Sequence, residues 1–154
     1  MALTQAEADS LLKVTKTFAD GSPLRLTQTL PMDFRRELLS VDLREKFFMD
    51  ARRGPHVVAR LRYQTRARVS VILARLEING PRHCNPPSGG EESGQWIGGT
   101  HLHVYREGLG DRFAYPEEQL EELGFALPLE LVPSFRGFLN FCSVGDVPDI
   151  QLEI

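Results

Sequence analysis

The sequence predicts an α+β fold: a mainly antiparallel sheet flanked by an N-terminal and a C-terminal helix. Three observations predict it. Residues 59–69 alternate strictly between apolar and polar side chains, and residues 69–78 continue as an apolar run rich in β-branched residues. Thr4 and Glu7, three apart, make the capping-box pattern that opens a helix. Near the other end Phe135, Phe138, Leu139 and Cys142 fall at i, i+3, i+4 and i+7, one face of a second helix. With 154 residues, 42% of them hydrophobic and 25% charged, the chain reads as one domain over residues 1–154 with enough apolar content for a core. The same composition excludes low-complexity disorder, a collagen repeat and a disulfide-framed mini-protein.

The first helix carries Leu11, Val14, Thr15 and Phe18 on one face, and Gly21 and Pro23 stop it. Leu24 to Gln28 alternates like a strand, whereas Asp33 to Leu39 fits a strand or a short helix equally well. Phe47, Phe48 and Met49 form a strand that breaks at Arg52-Arg53-Gly54-Pro55. The alternating stretch from Ala59 is too long for one strand, so a fold-back near Gln64–Ala67 or a bulge near Val71 is expected. Asn79-Gly80-Pro81 ends the apolar strand, and residues 81–99 follow as one long glycine- and proline-rich loop. Thr100 to Arg106 is the next strand, with Arg112 to Tyr115 as its hairpin partner. Pro116 opens a short helix stopped by Gly124, and Ser134 caps the last one.

Charge is segregated along the chain. The net charge of −3 divides into −1 over residues 1–34, +7 over 35–82 and −9 over 83–154, and fifteen of the eighteen basic residues are arginine. Arginine suits forked contact with phosphate, so Arg60, Arg62, Arg66, Arg68, Arg75 and Arg82 are candidate nucleic-acid contacts. The plainer expectation is that the basic middle pairs with the acidic C-terminal third. Cys84 and Cys142 read as free thiols, which with no apolar membrane span or signal-like N-terminus places the protein in the cytoplasm with no membrane role.

The chemistry-bearing residues cluster late. In a strand, His101, His103 and Tyr105 share one face, and His83 lies at the end of the preceding strand, where it reaches that face if the two strands are neighbours. Gly80, Pro81, His83, Asn85 and Pro86, then His101, His103, Tyr105, Glu107 and Gly108, then Gly110, Asp111, Ala114 and Pro116 resemble the pattern of an uncharacterised family of small bacterial and phage proteins. The resemblance extends upstream through Arg66 and Arg75 and downstream to the Phe138–Cys142 helix. It implies that the histidine segment is the site and that a phage setting is open, and it brings no known activity.

Three functions fit. The leading one is ribonuclease-like cleavage of RNA with no metal and no cofactor. In it His103 and His101 act as base and acid, His83 as alternate acid or orienter, Tyr105 as orienter or proton donor, and Arg66, Arg68 or Arg75 as phosphate clamps. A second is a metal site, in which His83, His101 and His103 supply three nitrogens and Glu107 stands near. The third is a non-catalytic binder of RNA, a host protein or a host nucleoprotein complex, using the basic middle or the acidic face of Glu117, Glu118, Glu121, Glu122 and Glu130. Cys84 as a nucleophile and Trp96 as a stacking surface are weaker candidates, and a passive thiol and a loop anchor are the expected readings.

Overall fold

A computed structural model describes residues 2–87 and 93–154; the stretch 88–92 of the expected loop lies outside the described residues. The chain runs α1 (Gln5–Lys13), β1 (Lys16–Phe18), β2 (Leu24–Thr27), β3 (Met32–Ser40), β4 (Lys46–Arg53), β5 (Leu61–Ala67), β6 (Val71–Ile78), β7 (His83–Cys84), β8 (Trp96–Ile97), β9 (His101–Val104), β10 (Ala114–Pro116), a 3₁₀ turn (Glu117–Gln119), α2 (Leu131–Phe141) and β11 (Ile150–Glu153). Seven strands make one antiparallel sheet in the order β1-β3-β4-β5-β6-β9-β10, with β11-β2 and β7-β8 as separate pairs. This is the α+β architecture the alternation predicts. The ambiguous stretch after Asp33 is a strand, with Asp33, Arg35 and Glu37 in one phase and Met32, Phe34, Arg36 and Leu38 in the other.

One face of the sheet is the core. Phe47, Met49 and Ala51, Leu61 and Tyr63, Leu76 and Ile78, and Leu102 come from successive strands and are all buried. The apolar face of α2 covers them: Phe135 meets Phe34 edge-on with centroids 5.7 Å apart and Tyr63 at 5.3 Å. Leu3, Ala8 and Leu11 close the same core from the N-terminal end, and the capping box forms as the sequence predicts. Lys16 is fully buried and donates to the Leu12, Val14 and Cys142 carbonyls at the C-terminal ends of both helices. Burial pushes its pKa down to about 8.

Several local expectations change. The first helix stops at Lys13, so Phe18 stands on β1 rather than on the helix face, and the segment after Pro116 forms a 3₁₀ turn. The fold-back falls at residues 68–70, and the bulge falls at Leu73, which has no β5 partner because Thr65 pairs with Ala74 and Arg66 with Ile72. The last helix starts at Leu131, with Glu130 at the N-cap, so Ser134 is not its cap. Pro133 sits in the first turn, where its missing N–H costs nothing. Ser134 is buried, and its hydroxyl meets the Tyr63 hydroxyl at 2.8 Å.

The opposite face is polar, and cross-strand register orders it into rows. One row reads Asp33, Arg52, Arg62, Glu77, His101; the next reads Arg35, Asp50, Gln64, Arg75, His103. Much of the basic middle is neutralised within these rows. Arg66 and Arg35 bond Asp50, Arg62 bonds Glu77 at 2.7 Å, and Arg75 lies between Glu77 and Asp111. Arg68 reaches Glu7 and Glu45, both at 3.8 Å. The expected pairing with the acidic C-terminal third is therefore corrected: of these carboxylates only Asp111 comes from residues 83–154, because the compensating acids are cross-strand neighbours.

Candidate metal centre of three histidines

The site forms where the end of β9 meets the residues around the long loop. β9 exposes His101 and His103 on the polar face through its two-residue period, and both are only 2% accessible. His83 arrives from outside the main sheet. Its position depends on Gly80 and Gly99, whose backbones touch at the base of the loop: Gly80 N–H donates to the Gly99 carbonyl at 2.9 Å. A Cβ on Gly99 would lie 2.0 Å from the Gly80 oxygen, so only glycine fits. Above that pinch, His83 pairs with Ile97 and Cys84 with Trp96. Asn85, 1% accessible, locks this flap to β10: its Nδ2 donates to the Ala114 carbonyl at 2.8 Å and its Oδ1 accepts from Ala114 N–H at 2.9 Å.

The three rings converge. Centroids are 4.6 Å apart for His83 and His103, 4.8 Å for His101 and His103, and 5.4 Å for His83 and His101. One nitrogen from each ring lies within 4.8 Å of the others. Hydrogen bonds fix the tautomers, because a carbonyl oxygen only accepts. His83 donates through Nε2 to the Arg112 carbonyl at 2.7 Å, with Asn85 Oδ1 at 3.0 Å, which leaves Nδ1 as the nitrogen to face the other rings. His101 donates through Nδ1 to the Gly98 carbonyl at 2.7 Å, which leaves Nε2 unprotonated. Nδ1 of His103 is buried with no partner among the described residues.

Electrostatics keeps both strand imidazoles neutral. Burial lowers the His103 pKa to about 2, and Arg75, its cross-strand neighbour, adds to the shift, as do the other two histidines. Burial likewise lowers His101, opposed by its bond to Gly98 and by the Glu77 carboxylate.

The remaining candidates lie elsewhere. Tyr105 does not join the histidines: β9 ends at Val104, and the Tyr105 hydroxyl turns into the core, accepting from Leu3 N–H at 2.9 Å and donating to Leu3 carbonyl at 2.8 Å. Glu107 accepts from Gln5 N–H at 2.7 Å at the start of α1. Arg75 stands beside His103, Arg62 is one strand further along the row of His101, and Arg82 stacks on exposed Trp96 at 5.2 Å. Arg66 is held by Asp50, Arg68 lies at the 68–70 turn, and Arg60 is exposed in the connection before β5. Cys84 is exposed; Cys142 is buried, with its thiol pushed up to about 12. Asn85, Asp111, Gly98 and the Gly80–Gly99 contact were not singled out as functional by spacing, although Asn85 and Asp111 stand in the motif.

Fold and centre together define an α+β protein with a trihistidine cluster at one end of an otherwise arginine-rich sheet face. The chain belongs to a family of unknown function, DUF6978, whose model matches residues 3–144. Membership agrees with the motif resemblance and supplies no reaction. No curated protein and no solved structure matches it significantly. Among the described residues no helix is long and apolar enough to cross a membrane.

Proposed function

We propose that His83, His101 and His103 hold a divalent transition-metal ion, zinc foremost, in a hydrolytic centre. The observation that carries this is the hydrogen-bond pattern around the rings. Metal-ligating histidines characteristically give their other N–H to a carbonyl or carboxylate, which fixes tautomer and ring orientation. His83 and His101 do so, and the lone pair of His103 Nδ1 has no other acceptor role. Leaving such a nitrogen buried without a partner costs about 1–3 kcal/mol, and a bound cation removes that cost.

The donor set favours zinc and a catalytic role. Three imidazoles without a carboxylate suit zinc, copper or nickel. A structural zinc site closes its shell with four protein ligands, whereas three leave a position for water or substrate. Nitrogens bound to one ion at about 2.1 Å sit about 3.4 Å apart, so the widest pair closes by roughly an ångström on uptake. His83 supplies that movement, since it is only partly buried and sits on the flap rather than on the main sheet. The ion would supply a water whose pKa is lowered to near 7. Arg75 beside His103 offers positive charge to an oxyanion formed there.

Metal-independent cleavage of RNA is the weaker reading. It assigns acid and base to His101 and His103, and burial disfavours in both the protonated form that the acid needs. Thermal unfolding with zinc and with a chelator, combined with hydrolysis of an activated ester, tests the proposal. Saturating zinc should raise the melting temperature of the wild type by about 5 °C or more. His83→Ala should abolish both that rise and zinc-dependent hydrolysis while melting normally in chelator. An equal rise in wild type and variant, or no rise in either, would overturn it.

A further inference from the structure

A cleft of about 320 Å³ opens beside the histidine centre, between the 54–60 connection and the start of β5, and its lining is unusually positive. Among the described residues Arg52, Arg53, Arg60 and Arg62 line it with one lining carboxylate, Glu77, and Arg52 also pairs with Asp33 at 3.6 Å. Arg53 braces the connection that walls the cleft. It is 5% accessible, and three backbone carbonyls fix its guanidinium: Nε donates to Val58 at 2.7 Å and Nη1 to Thr27 and Thr29 at 2.8 and 2.9 Å. Carbonyl dipoles orient a guanidinium but do not cancel its charge. Among the described residues neither Arg53 nor Arg60 takes part in an ion pair, so two positive charges at this cleft lack a carboxylate. Three of the five Arg53 donors are taken by these carbonyls and the residue is in phase with core-facing Ala51, so it braces the connection, and the cations left to meet an anion at the cleft are Arg60, Arg52 and Arg62, whose forked donors suit a phosphate.

One cross-strand row links the cleft to the metal centre through Glu77. Arg62, Glu77 and His101 are successive cross-strand neighbours, so two strand spacings of about 4.8 Å separate the Arg62 and His101 backbones. Asn79 ties the connection to the end of β6 by donating to the Ala59 carbonyl at 2.9 Å. Leu61, Val57 and Pro55 add an apolar wall. Both the volume and this mix of apolar wall and forked cations suit a small molecule rather than a long polymer, whose backbone would need an extended track.

We propose that this cleft seats the phosphate group of a small phosphoester, of about the size of a mononucleotide, next to the three-histidine centre. The proposal rests on the metal reading for the reaction but not for the binding. Isothermal titration with inorganic phosphate and with adenosine monophosphate tests it, on metal-free and zinc-loaded protein. Adenosine monophosphate should bind with a Kd of about 0.1–1 mM in both forms, more tightly than inorganic phosphate. Arg60→Glu, an exposed change that leaves the fold intact, should weaken both by about tenfold or more. Arg52→Ala should weaken them in the same sense, and His83→Ala in chelator should leave binding unchanged. The proposal would be overturned by no binding at 10-fold above that range, by binding unaltered by Arg60→Glu, or by binding seen only in zinc-loaded protein, which places the anion on the metal instead. Tight binding of a single-stranded RNA without binding of adenosine monophosphate would overturn it in favour of a polymer. Failure of the zinc titration alone would remove the reaction and leave the cleft standing.

Discussion

At the scale of single residues, the protein keeps two imidazoles neutral and dry. The unfolded chain holds His101 and His103 near the ordinary histidine pKa of about 6.5, and folding lowers both, His103 to about 2. Below pH 6.5 the unfolded state therefore binds more protons than the native one, and stability rises with pH. The stabilisation is fully present above 6.5 and is lost as pH falls from there toward 2. His103 alone contributes a slope of about 1.4 kcal/mol per pH unit, and His101 adds to it down to its own lowered pKa. Chemical denaturation in chelator should show His103 alone lowering stability by about 1.4 kcal/mol in total from pH 7.5 to 5.5, the slope steepening as pH passes below 6.5, and His103→Leu should remove that share. A stability that is flat across that range in the wild type would contradict the assignment of both rings as buried and neutral.

At the scale of elements, the site depends on a contact between two glycines far from the histidines in chemical character. Gly99→Ala places a methyl where the Gly80 carbonyl oxygen sits, so the base of the flap must separate. We expect a loss of about 2–3 kcal/mol in stability and weaker zinc binding, because His83 moves with β7 while His101 and His103 stay on β9. Calorimetry and zinc titration of this variant check both; unchanged zinc affinity would show that the flap does not set the His83 position. The same elements explain what the sequence disclosed. His101 and His103 were legible because a strand's period of two is local, and residues 101 and 103 fall on one face whatever the neighbours are. The convergence of His83 was not legible, since it follows from the Gly80–Gly99 and Asn85–Ala114 contacts, which join residues 19 and 29 apart. Tyr105 failed for a related reason: the ladder to β6 stops at Val104, and the chain beyond it is steered by Leu3 and the bulged Leu73.

At the scale of the whole molecule, charge is arranged across strands rather than between halves of the chain. Counting residues along the sequence suggested a basic middle facing an acidic end, yet the sheet interleaves Asp50 and Glu77 among the arginines. The periodicity that gave the α+β architecture could not give strand order, and strand order decides which charges cancel. Among the described residues Arg53 and Arg60 take part in no ion pair at the β4–β5 end of the sheet, and three imidazoles stand on the other side of Glu77. The central claim is that those imidazoles are one ligand set. Equilibrium dialysis of untagged protein against zinc, followed by elemental analysis, measures it directly. The account predicts about one zinc per wild-type chain and less than about a tenth in His101→Ala/His103→Ala protein. Less than a tenth in the wild type, or one zinc retained by the double variant, would contradict it.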